Sequence, residues 1–498
     1  MSRIRSLIAL FAAACATAWG TPPAAAAQQT TATPIKHFVY LMQGGRTFDN
    51  YFGTYPRADG FPAGTCQSLG TTSKSAACVK PFSLHGKAVP VLAAGRQLVA
   101  TQIDGGKMDD FVSAYEQQNR DGTSAVGYYD RADLPTSWAA ADQYVLFDHF
   151  FSDAAFGTVT NRSYWISGAG APTSGERIPA TGFGNQATIF DRLQAAGVSW
   201  KFYVQDYNPS HTFRTTVAGR TDDQATRVPV LDYARFIDDP RLRGHIVDLS
   251  EYYLDLERGT LPAVAYVATS GADERSARSI PTAQRLVQTM VNQLMVTRYW
   301  TSTAFFWSYE QAGGWYDHVP PPSTPTGALG LRVPALVVSA YARKGTVDHT
   351  QLDPTSALRF IETNWHLQPL AARDASAGDL SPAFDFAAAP RKPVLLPGVL
   401  SPVAAITEKA AVPPGTGAAR LLYTITVTLS ALALLAAAVT SLRRKGRAEP
   451  VPAAPSSTES APSDSELSDS ELSETALSEA APSEVTPTIE VTEQAGAS

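Results

Sequence analysis

An α/β fold, built on a mostly parallel sheet covered by helices on both faces and followed by one C-terminal transmembrane helix, is what this 498-residue sequence predicts. Three observations lead there. Apolar runs of strand length recur at 35–42, 198–204, 263–268, 303–308 and 333–342, amphipathic patterns fall between them, and one charge-free stretch of membrane-crossing length lies near the C-terminus. Apolar strands interleaved with helices mark strands buried on both faces, the arrangement of parallel sheets. A hydrophobic content of 44% with 10% aromatics permits a core of that size.

In chain order, Arg3 and Arg5 precede the apolar run 7–19, and the small residues 24–27 then offer a cleavage site. Residues 1–27 therefore read as a secretory signal peptide. Cys15 lies inside it with Ala12 where a lipoprotein signal prefers Leu, so no lipid anchor is inferred. The exported body spans 28–389, and its first strand, 35–42, breaks at Gly44 and Gly45. Cys66 and Cys78 bracket a Gly/Ser/Thr loop, which in an exported chain predicts a disulfide, with two free thiols as the alternative. Strands at 198–204 and 263–268 come next. Residues 283–300 carry Leu286, Met290, Leu294 and Val296 at helical spacing. The stretch 302–322, STAFFWSYEQAGGWYDHVPPP, begins as a buried strand and empties Glu310, Gln311, Asp317 and His318 into a Gly/Pro loop. Ligands bind past the carboxyl ends of strands in open α/β sheets, so a site is expected here, a solvated turn being the alternative. The apolar run 333–342 and a helix over 355–365, entered through Pro354 with Leu358, Ile361 and Trp365 on one face, complete the body.

Residues 390–419 are Pro/Ala-rich and aperiodic, a stalk. Residues 420–442 form the expected transmembrane helix: at ~1.5 Å per residue its charge-free part is long enough for a hydrocarbon core of ~30 Å. Arg443, Arg444, Lys445 and Arg447 follow as a basic stop-transfer segment, which places the carboxyl side in the cytoplasm and predicts a single-pass type I protein of the cell membrane with an extracytoplasmic body. The rest of 443–498 has no aromatic residue and eleven acids, the composition of a disordered cytoplasmic tail with a protein partner of unknown identity. Those acids outweigh the chain's net charge of −6, leaving the body almost neutral, which argues against a nucleic-acid partner.

Several blocks then fall in order: MQGGRTFDNYFG at 42–53, GYY at 127–129, DLP at 133–135, GTVTNR at 157–162, GGWYDHVP at 313–320 and RDASAGDL at 373–380. Together they resemble the bacterial phosphoesterase family that contains phospholipases C and related acid phosphatases, with an alkaline-phosphatase-like α/β fold. The resemblance implies that Thr158 is a nucleophile attacking phosphorus, that Asn161 and Arg162 hold phosphoryl oxygens, that His318 belongs to the substrate side, and that Glu310 and Gln311 occupy a metal-ligand pair. An alcohol is a weak nucleophile unless a cation or base activates it, so such chemistry needs its neighbours. On residue type alone Gly157-Thr158 also reads as a turn with a capping hydroxyl.

This sequence departs from the family's pattern where the metal is concerned. Gly44 and Gly45 stand where the family has a Glu-Asn pair, and Gln311 replaces an acid. Histidines expected near 102–105 and 272–275 are absent, and an expected Asp-His is Asp353-Pro354. Hard cations are held by carboxylate charge and ligand number, so the implied divalent metal is expected to bind weakly or not at all unless Asp49, Asp104 or Asp273 compensates. Two readings stay open. One is an extracytoplasmic phosphoesterase, phospholipase C-like or phosphatase-like, acting on a phosphate ester or phospholipid head group; the other is an inactive pseudoenzyme serving as a binding ectodomain.

Overall fold

A computed structural model describes residues 30–69, 77–173, 175–215 and 222–398. The chain divides into two units, 1–405 and 406–498, and every described residue lies in the first. The expected signal peptide, transmembrane helix, acidic tail and most of the stalk lie outside the described residues. Among those described, no helix is long and apolar enough to cross a membrane.

The main sheet has eight strands: β1 (His37–Gly45), β2 (Val145–Phe147), β3 (Trp200–Val204), β4 (Ile246–Asp248), β5 (Val264–Ala268), β6 (Thr303–Gln311), β7 (Ala335–Ser339) and β8 (Thr346–Asp348). They lie in the order β8-β2-β7-β6-β1-β5-β3-β4. Only β7 runs against its neighbours β6 and β2; every other pairing is parallel. Successive strand residues point to opposite faces, yet β5 and β7 are buried at every position and β6 from Thr303 to Glu310. Both faces of the sheet centre are therefore covered. Tyr40, Phe306, Trp165 and Tyr266 pack ring against ring there, with centroids 4.9 to 5.6 Å apart.

The strands expected from the apolar runs are present with shifted ends. β1 continues through Gly45 and β6 through Gln311, so the residues expected in loops close the two central strands instead. The helices that matter for the site are α1 (Phe48–Phe52), α2 (Thr158–Ser167), α3 (Ile280–Met295) and α4 (Pro354–Asn364). Helix α3 stops five residues short of the sequence expectation, and Val296, counted in its apolar stripe, is 67% exposed. Asp353 caps α4 by accepting from the Thr355 amide, a role that Pro354 at the first turn complements. Cys66 and Cys78 are joined in a disulfide.

Candidate active site at the carboxyl ends of the central strands

The parallel pairing of β1 with β6 sets Gly45 opposite Gln311. The ends of these neighbouring strands deliver Gly44, Gly45, Glu310 and Gln311 to one place at the sheet centre, and the loop after β5, on the other side of β1, brings Asp273, Glu274 and Arg275 to it. Helix α2 completes the arrangement, with Thr158 as its first residue. Gly157 precedes it at φ 114°, a left-handed conformation that favours glycine, and a Cβ there would fall 1.9 Å from Glu176 Oε1. The residues read alternatively as a plain turn thus form a helix N-terminus.

Three side chains converge on the Thr158 hydroxyl. It donates to Glu310 Oε1 at 3.0 Å and accepts from Arg275 Nη2 at 3.2 Å and from Gln311 Nε2 at 3.1 Å. One donor and two lone pairs are all a hydroxyl has, so Thr158 is fully engaged. Glu310 is fully buried between two guanidinium groups: Arg162 Nε donates to Oε2 at 2.7 Å and Arg275 Nη2 to Oε1 at 2.5 Å. Burial works against its charge, but Arg275 and Arg162 outweigh it and hold the carboxyl below its ordinary range. Arg162 is tied further to the Arg227 and Met42 carbonyls, and Gln311 Oε1 accepts from the Gly157 amide. The helix N-terminus itself is covered by Glu176, which accepts from the Val159 amide at 2.6 Å and from the Thr160 hydroxyl at 2.7 Å.

The other candidates lie elsewhere in function or in space. Asn161 braces the turn before α2: its Oδ1 accepts from the Ala154 amide and its Nδ2 donates to the Ala154 and Gly157 carbonyls. His318 bonds Asp49 Oδ2 at 2.8 Å and faces Asp59 Oδ1 at 3.3 Å, so none of its partners belongs to the Thr158 set. Buried Arg332 bridges Asp317 and Asp49 in the same network. Burial pushes Asp317 up to about 6, while His318 is raised because Asp49 and Asp317 outweigh its own desolvation.

A divalent ion does not fit the positions the sequence assigned to it. Both Glu310 oxygens are occupied by guanidinium donors, Gln311 is engaged at both ends of its amide, and Gly44 and Gly45 offer no side chain. Of the acids considered as substitutes, Asp49 is bound by Arg332, Asp104 pairs with Lys107, and Asp273 faces Arg227 and Arg275 at 3.5 Å. Among the described residues three groups could hold an ion, Asp148-His149-His349, Asp49-Asp317-His318 and Asp104-Asp109-Asp110; Asp49 and Asp104 therefore belong to candidate groups of their own, and none of the three includes Glu310 or Gln311.

The model of the Phosphoesterase family matches residues 35–368, well over half of the chain and every element just described. The chain belongs to the phosphoesterase family. Relatives within it include phospholipase C A of Mycobacterium tuberculosis, 28% identical over 418 residues that cover 72% of this chain and 78% of that one. The non-hemolytic phospholipase C of Burkholderia pseudomallei is 26% identical, covering 72% of this chain and 60% of its own. Among solved structures, a protein in the alkaline phosphatase superfamily from Vibrio parahaemolyticus aligns with a TM-score of 0.32 at 12% identity, over 73% of this chain and 75% of that chain. Within this candidate site of the phosphoesterase-family chain, sequence reasoning missed Arg275 and Glu176. Arg275 had one readable signal, its place just past an apolar strand; Glu176, in an irregular loop, had none.

Proposed function

We propose that this chain is an exported, membrane-tethered hydrolase of phosphoric esters, with a phospholipid head group as the substrate class and Thr158 as the nucleophile. The observation that carries the reading is the convergence of Glu310, Arg275 and Gln311 on Thr158 Oγ1. In the reaction Oγ1 attacks phosphorus while its proton passes to Glu310 Oε1, the P–O bond to the leaving alcohol breaks and its oxygen takes up that proton, and water then displaces the phosphoryl group from Thr158, with its second ester group still attached when the substrate is a diester, and returns a proton to Oγ1. Arg275 and Gln311 donate at the oxygen where negative charge develops. The relatives named phospholipase C support a lipid ester, and the basic flank after the apolar segment 420–442 supports an extracytoplasmic body tethered at the membrane.

A second reading is favoured by the same contacts. With Oγ1 saturated and the helix terminus covered by Glu176, the site as it stands holds no free lone pair for attack, as expected of a binding ectodomain without turnover. The full chain in detergent micelles, assayed with p-nitrophenyl phosphate and p-nitrophenyl phosphorylcholine, separates the two. The hydrolase reading expects nitrophenol release that Thr158→Ala lowers by at least about 10³-fold. Turnover unaltered by that change removes the nucleophile, and wild-type protein that retains phosphate without turnover favours the ectodomain.

A further inference from the structure

We propose that the guanidinium of Arg275 is the resident cation of this site, so that a phosphoryl oxyanion is bound there by Arg275 together with Gln311, and no divalent metal takes part. The inference rests on the reading that a phosphoric ester comes to Thr158, and it adds what holds it. Four observations support it.

The first is position: one nitrogen, Nη2, contacts both Thr158 Oγ1 at 3.2 Å and Glu310 Oε1 at 2.5 Å, the expected nucleophile and the carboxylate expected to hold a metal. The second is volume. A Cβ on Gly44 would lie 2.4 Å from Arg275 Cγ and 2.5 Å from the Asp273 carbonyl, so the arginine stem fills the space that any side chain at 44 would need. The third is anchoring. The Gly44 amide donates to the Asp273 carbonyl at 2.7 Å and Arg46 Nε to the Glu274 carbonyl at 2.9 Å, while the fully buried Glu274 carboxylate accepts from Tyr309 at 2.5 Å and Gln284 at 3.0 Å. Glu274 also takes the left-handed conformation, φ 61°, that turns Arg275 toward Thr158. A charge fixed before the ligand arrives needs no reorganisation when it binds.

The fourth is access and spare capacity. The Arg275 side chain is 34% exposed while those of Arg162 and Glu310 are fully buried, so it is the cation an incoming anion meets. Its Nε, itself buried, has no hydrogen-bond partner and faces Asp273 at 3.5 Å, so the exposed part of the guanidinium is what an anion meets. A guanidinium carries five N–H groups in a fork that matches phosphate oxygens two at a time.

Titration calorimetry of the full chain in detergent with inorganic phosphate tests this, with excess EDTA in one arm and Mg²⁺, Ca²⁺ or Mn²⁺ in the others. The dissociation constant is expected to agree within about twofold across all arms, Arg275→Met to weaken binding at least about 30-fold, and Arg275→Lys to weaken it less, because the charge over Glu310 is kept and the fork is lost. Binding that vanishes in EDTA and returns with a metal overturns the inference while leaving the phosphate reading in place. Wild-type affinity in Arg275→Met overturns it in the same way. No phosphate binding in any arm overturns both. Should Arg275→Met fail to fold, the EDTA comparison on wild type and Arg275→Lys decide.

Discussion

At the scale of single residues the site turns on an exchange of volume between positions 44 and 275. Restoring a carboxylate by Gly44→Glu would drive its Cβ against backbone, the Asp273 carbonyl at 2.5 Å, as well as against Arg275. The expected outcome is a loss of about 1–3 kcal/mol in thermal or urea unfolding with no metal-dependent turnover; a stable, metal-activated variant would count against the assignment. Glu310→Gln tests the other half of the pair. It leaves Arg162 buried without its counter-charge, for which about 3–5 kcal/mol of stability should be lost at pH 7. Because the folded state holds Glu310 below its ordinary value, the ionised carboxylate contributes fully above about pH 4.5 and progressively less as the pH falls through the lowered value. The wild type should therefore lose stability on acidification more steeply than the variant, and parallel curves between pH 3 and 6 would show that the charge is unimportant. Thr158 and Arg162 were legible from sequence because they lie in a short block whose order could be matched, and Glu310 and Gln311 because they end an apolar run of strand length. Arg275 was not: the segment GADERS reads as a place that has lost a histidine, and only the sheet order, which puts the end of β5 next to β1, shows that an arginine has arrived.

At the scale of elements, α4 meets a short helix, α5 (Ala372–Ser376), through two carboxyl groups. The Leu370 amide donates to Asp374 Oδ2 at 2.7 Å and to Glu362 Oε1 at 3.1 Å, and Glu362 Oε2 has no partner. Burial and the neighbouring Asp374 carboxyl push Glu362 up to about 9. The sign follows from linkage: with the folded value above the ordinary one, the stabilisation is complete below about pH 4.5 and is lost as the pH rises toward 9. Glu362→Gln, neutral throughout, should gain on the wild type by more than about 1 kcal/mol between pH 5 and 9 in thermal unfolding; a constant difference would show that Glu362 does not titrate in this range. Element type was readable where apolar content was continuous, as in β1, β5, β6 and β7. The three-residue strands β2, β4 and β8 were not, because a strand that short carries no period and is recruited by its neighbours. Helix α2 escaped for a related reason, since TVTNRSYWIS is rich in β-branched and polar residues and is held by its contacts with Glu310 and Glu176 more than by any apolar stripe.

At the scale of the whole molecule, the proposed tether makes a simple demand. Cells expressing the chain truncated after residue 419 should release the body, whereas the full chain should remain with the membrane fraction and expose its tail to protease only from the cytoplasmic side. Release of the full chain would exclude the anchor. The topology of the sheet bears on the same journey. Tyr40 on β1 and Ser308 on β6 share a hydrogen bond at a sequence separation of 268, so the central pair is among the most non-local contacts the described residues make. Closing so long a loop is entropically slow, and nothing upstream can complete the sheet's centre while β6 is still unmade. A chain with that wiring reaches its native register only after nearly all of the body has been made, and under the proposed export route only after it has crossed.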